Sequence, residues 1–135
     1  MVRKVTTTEQ AERDVAAARQ RAVQRIDEGY AVKVEEGFEH DGQTWPLGGQ
    51  AQGRMQRLAT RVIDFSELPR GKPAHTVRDM AGGKHDLDQA GIKDLVRAGH
   101  DRLDLLDETH DGLLEDVEAA TTVTDLDVID WPDTL

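Results

Sequence analysis

The chemistry open to this chain rests on five histidines and 27 acids, with no cysteine and a single serine, Ser66. His100 and His110 fall in one helical stretch at a spacing that turns them onto different faces, and no His-x-x-x-His pair occurs. His85, Asp86 and Asp88 could supply three metal ligands from one short segment. Alternate residues of a strand point to opposite sides, however, so His85 and Asp86 should diverge. Asp101, Asp104, Asp107, Glu108 and Asp111 make an acidic flank whose composition is that of a solvated helix face. Gly82-Gly83-Lys84 lacks the first glycine at phosphate-loop spacing, the hydroxyl after the lysine and the helix that should follow. Without thiols and with one serine, nucleophilic catalysis and thiolate zinc sites have almost no residues to use. The pattern therefore predicts a non-enzymatic protein with no catalytic residue, no cofactor and no metal.

A repeated apolar spacing is the stronger signal. Ile92, Val96, Gly99, Leu103, Leu106, His110, Leu113, Val117 and Ala120 recur at alternating steps of four and three, the heptad rhythm of a helical seam. Seams of this kind meet another surface, and the expectation is a cyclic homo-oligomer, a trimer, contacting through Leu106, His110 and Leu113. The N-terminal half of the seam would instead cover the chain's own aromatic residues. His110 either fixes register at a seam position or is a satisfied core histidine, and Gly99 permits close backbone approach.

These residues need elements to hold them, and the sequence spells out an α+β arrangement. Thr7 and Gln10 fit a capping box, after which Ala11, Val15, Ala18, Ala22 and Ile26 share one helix face, with Gly29 placed to stop the helix. Ala31 to Val34 and Gly37 to Glu39 look extended, and Asp41-Gly42 before Gln43-Thr44-Trp45 signals a hairpin that ends at Pro46. A short helix follows, with Met55, Leu58, Ala59, Val62 and Ile63 on its apolar side. Leu68 to Pro73 breaks it, His75–Met80 and Lys84–Leu87 suggest a second small hairpin, and Asp88 can cap a long amphipathic helix from Gln89 to Ala119. Gly99 and Gly112 are the places where that helix could bend. Residues 1–29 thus read as an N-terminal helix for docking or oligomerisation, and residues 30–135 as a small α+β domain whose core is anchored by Phe38, Trp45 and Trp131.

A net charge of −10 opposes approach to nucleic acid and to anionic membranes. Two local basic groups interrupt it: Arg13, Arg19, Arg21 and Arg25 early in the chain, then Arg54, Arg57 and Arg61. No apolar run has the length of a membrane span, and the residues after Arg3 and Lys4 lack the apolar block of a signal peptide. Synthesis in a cytoplasm without membrane insertion is the expectation.

The order of pieces resembles a known family. Gly37-Phe38-Glu39-His40-Asp41-Gly42-Gln43-Thr44-Trp45, the helix and extended pair after it, the long helix, and the closing Ala119-Ala120-Thr121-Thr122-Val123 with Leu126 and Ile129-Asp130-Trp131 carry the resemblance, from about Arg13 to Pro132. The chain is similar to the phage and prophage tail-fibre-associated family catalogued as domain of unknown function 4376. It departs from that family in having Pro46 to Gly49 after the second strand, and Val77-Arg78-Asp79-Met80 where members carry a tryptophan and Asp-Asn. The resemblance implies a virion component of a bacteriophage tail or phage-derived particle, structural in kind, at the fibre or tail-tip end, assembling with other tail or fibre proteins. An assembly chaperone for tail fibres that does not stay in the virion is the alternative, and a small metal-binding protein or enzyme ranks below both. The family pattern implies no catalytic residues.

Overall fold

The computed structural model describes residues 6–135. Its elements are α1 (Thr7–Glu35), β1 (Phe38–His40), β2 (Gln43–Trp45), α2 (Gly49–Phe65), a 3-10 turn at Pro69–Gly71, β3 (His75–Arg78), β4 (Lys84–Leu87), α3 (Gln89–Ala119) and α4 (Val123–Asp127). The α+β architecture with two antiparallel hairpins is as expected. The chain divides into two compact units: the stretch up to Ala31 with Asp107–Leu135, and Val32–Leu106. The N-terminal helix therefore shares its unit with the C-terminal segment of the same chain.

In this first unit, α1 begins one residue earlier than the capping box predicted. Thr6 Oγ1 accepts the Glu9 N–H at 3.1 Å, and Gln10 pairs forward with Asp14 instead of reaching back to Thr7. Ala18, Ala22 and Ile26 are fully buried against Val117 and Leu126, and small alanines let the facing segments come close. Gly29 does not stop the helix, which runs on through Ala31–Val34, the residues expected to be extended, to Glu35. The glycine has another role. A Cβ on Gly29 would lie 2.3 Å from Trp131 Cδ1, so the bare backbone is the bed on which the indole lies. Trp131 Nε1–H donates to the Ile26 carbonyl at 2.9 Å, which satisfies the polar edge of a buried ring.

Three of the four early arginines fasten the same tail. Arg19 donates to the Ala120 carbonyl at 3.0 Å, just past the end of α3, and Arg25 donates to the carbonyls of Leu126 and Ile129 at 2.9 and 2.8 Å. Arg21 pairs with Asp127 at 3.3 Å. Cations on carbonyls at helix ends satisfy orphan acceptors and oppose the helix dipole. Nearby, His110 Nε2 lies 2.9 Å from Asp27 Oδ1, and the Tyr30 ring packs edge-on against the imidazole. Tyr30 donates its hydroxyl to Asp107 at 2.6 Å; that bond, with burial second, pushes the phenol up to about 12. His110 is thus a satisfied, half-buried histidine within its own unit.

In the second unit, β1 pairs with β2 in the register Phe38↔Trp45. Asp41 and Gly42 both take positive φ, at 50° and 75°, the tight turn their identities imply. Met80 N–H donates to the Thr44 carbonyl at 2.9 Å and ties the tip of the second hairpin to the first. On α2, Met55 and Val62 are buried, but Ile63, expected on the apolar face, is 69% exposed. Asp88 Oδ1 accepts the Gly91 N–H at 2.8 Å and caps α3 as expected; the helix then continues without interruption through Gly99 and Gly112.

The seam residues contribute to packing within the chain along the whole of α3, the N-terminal half as expected. Ile92, Val96, Leu106 and Val117 are buried, Gly99 is buried, and Leu103, His110, Leu113 and Ala120 are half-buried, all within a single chain. A Cβ on Gly99 would stand 2.9 Å from Met55 Sδ and 3.3 Å from Phe38 Cε1, so this glycine serves an intramolecular contact. The stripe builds the chain's own cores, because a protein this poor in aromatic residues has little else to build them from.

Two measurements check these assignments. Gly29→Ala should lower stability by about 1 kcal/mol or more through overpacking, although alanine is the better helix former. Gly112→Ala, where an added Cβ meets nothing within 4 Å, should raise it by about 0.5–1 kcal/mol. Equal signs in thermal unfolding would mean that the indole does not lie on Gly29. Leu106→Ala should cost about 2–5 kcal/mol, with a melting temperature independent of protein concentration in both wild type and variant. A melting temperature that rises with concentration in the wild type alone would make the seam an intermolecular contact.

Candidate functional site

An open cleft of about 560 Å³ lies in the second unit. Phe38 and Trp45 from the first hairpin, Met55 and Leu58 from α2, and Ile92 and Val96 from α3 give it apolar walls. Arg54, Arg57 and Arg61 follow one another at steps of three and four, so they share a flank beside Met55 and Leu58, and all three line the cleft. Arg78 from β3 also lines the cleft, and no residue lining it is acidic. Arg61 reaches Glu67 at 3.5 Å, Arg54 reaches Gln50 at 3.4 Å, and Arg78 donates to the Gly82 carbonyl. The Arg57 side chain has no ion pair or hydrogen bond among the described residues. The arrangement can bind an anionic group at its rim and bury apolar surface beneath it.

Beside Trp45 lies a carboxylate–imidazole pair. Asp79 is only 8% exposed; its Oδ1 accepts the Gly83 N–H at 2.9 Å, and its Oδ2 lies 2.8 Å from His85 Nε2. The hydrogen bond from His85, then that from Gly83, holds the Asp79 carboxyl below its usual range. His85 in turn packs its ring 4.8 Å from the Trp45 ring, centroid to centroid. Asp79 therefore closes the tip of the second hairpin and orients a histidine against a cleft-lining aromatic residue. It was missed because it bonds back across the hairpin tip, and tip geometry is set only when β3 and β4 pair.

The other candidates are dispersed. Asp86 turns away from His85 to the Thr76 hydroxyl, as strand alternation required. Among the described residues no group of three or more histidines and acids could hold a metal ion. Phe38 and Trp45 are core anchors of the second unit, whereas Trp131 belongs to the first, so the three expected anchors do not make one core. The seam is likewise shared out, Ile92 to Leu106 in one unit and His110 to Ala120 in the other.

The Asp79 pair has a pH signature. Its folded pKa lies below the unfolded one, so the unfolded chain takes up its proton first as pH falls. The stabilisation is complete above the ordinary carboxylate range and is lost as pH drops through that range to the lower folded value. Asp79→Asn should therefore lower stability at neutral pH and flatten its decline on acidification. Urea unfolding across that range checks this, and an unchanged slope in the variant would count against the pair.

No described helix is long and apolar enough to cross a membrane. No protein-family model matches the chain, and neither does any curated protein or solved structure.

Proposed function

We propose that this chain is a non-enzymatic assembly protein that works by holding another protein. We further propose that it belongs to the tail of a bacteriophage or phage-derived particle, at the fibre or tail-tip end. The single observation that carries the binding half of this reading is the open cleft with its apolar walls and its arginine flank, Arg54, Arg57 and Arg61. Such a surface provides desolvated contact area together with directional donors, the combination that recognition of another chain requires. The placement on a tail rests on the sequence resemblance alone. Its two most specific pieces are structural hubs: Phe38 and Gly42 build the hairpin that walls the cleft, and Trp131 closes the first unit.

A trimer held by the α3 seam forms no part of this proposal, because Leu106 is fully buried and His110 and Leu113 half-buried within their own chain. The partner is instead another tail or fibre protein, met at the cleft. Quantitative mass spectrometry of purified particles tests the placement. The chain should be present at a fixed ratio to the tail proteins. Its absence from particles whose fibres nevertheless fail to mature without it would replace the structural role with that of an assembly chaperone. Intact particles and fibres in its absence would overturn both.

A further inference from the structure

We infer that the cleft of the second unit takes an extended segment of a partner protein in which carboxylates alternate with apolar side chains. The inference rests on the assembly reading above and supplies the chemistry of the partner.

Charge is the first ground. Acids outnumber lysines and arginines by 27 to 17 in this chain, yet the cleft is lined by four arginines and no carboxylate. Arg54, Arg57 and Arg61 stand at helical neighbour spacings, where like charges repel. Only Arg61 of the three has an acidic partner, Glu67 at 3.5 Å, so the repulsion is relieved further when an anionic occupant arrives. The Arg57 side chain lacks any partner among the described residues and is the guanidinium most ready to take one. Bidentate geometry suits it to a carboxylate.

The walls set the second requirement. Trp45, Met55, Leu58 and Val96 offer an apolar surface beneath that rim, so the occupant must carry apolar groups close to its acids. A small carboxylic amphiphile would meet both conditions, but β3 favours a polypeptide. His75, Thr76, Val77 and Arg78 all line the cleft in succession. Side chains of a strand alternate between faces, so four consecutive lining residues are what a strand presents along its edge. The sheet has two strands, and the edge of β3 away from β4 has no strand partner among the described residues. An extended peptide can pair its main chain there, with alternate side chains directed to the rim and to the walls.

The chain's own acidic tail does not fit the role. Asp125, Asp127 and Asp130 alternate with apolar residues, but Leu126 is fully buried in the first unit and Arg25 holds the carbonyls of Leu126 and Ile129. Val128, 76% exposed, is the one large apolar side chain this stretch leaves free.

Panning a displayed library of short random peptides on the full chain, with the Arg57→Glu chain as counter-target, tests the proposal. Enriched peptides should alternate Asp or Glu with Leu, Ile, Val or Phe. Synthesised singly, they should bind less tightly as salt is raised and lose affinity about tenfold or more on Arg57→Glu. Arg57 is exposed and stands among like charges, so the variant should melt at or slightly above the wild-type temperature, and that measurement separates lost binding from lost folding. Neutral or basic winners, no enrichment, or equal affinity for both chains would overturn the proposal. So would a wild-type oligomer in light scattering that Arg57→Glu dissolves, because the occupant would then be a second copy. The readout is peptide composition, so its failure leaves the assembly reading standing, and absence from particles leaves the cleft chemistry standing.

Discussion

One stripe of apolar residues along α3 has to serve as core material for both units. Ile92, Leu95, Val96 and Leu106 are buried in one unit, and Val117 with Leu113 belongs to the core of the other. In a chain with only five aromatic residues, much of the apolar surface that folding must bury comes from this stripe. That constraint explains why the heptad rhythm is so regular and why it nevertheless faces inward. It also explains Gly99, whose missing side chain lets α3 come against Met55 and Phe38 where a larger residue would hold them off.

Polar contacts make up part of what hydrophobic area cannot provide. In the first unit, Arg19 binds the Ala120 carbonyl just past α3, and Arg25 binds the carbonyls of Leu126 and Ile129 at and beyond the end of α4. The indole of Trp131 adds a donor to the Ile26 carbonyl while its ring covers Gly29. Charge-assisted bonds to carbonyls are worth more than neutral ones and add to the apolar contacts that Leu126, Ile129 and Trp131 make. In the second unit, Asp79 does similar work at a hairpin tip, accepting from both a backbone N–H and an imidazole. No buried side-chain nitrogen or oxygen among the described residues is left without a partner.

With the stripe and the early arginines committed to the fold, the second arginine group and the walls of the cleft are the surface available for recognition. The positive rim stands out because the rest of the chain is acidic. Long-range repulsion would hold polyanions off, while the local field at the rim attracts a short acidic segment. The proposed acidic partner is consistent with that charge distribution.

What the sequence settled by itself was local. The Asp41-Gly42 turn, the Asp88 cap, the bounds of α3 and the divergence of His85 from Asp86 follow from φ preferences, capping chemistry and strand alternation, which depend on near neighbours. Where near neighbours were insufficient, the reading went astray. Gly29 carries the mark of a helix stop, and only the arrival of Trp131 from far along the chain shows that it is a seat for an indole. The seam's period marks a buried face but contains nothing about whose surface buries it. The arginine groups look alike in sequence, yet one grips the tail and the other rims a cleft. Periodicity and propensity fix which residues share a face; which distant backbone or side chain meets that face is decided only when the chain closes on itself.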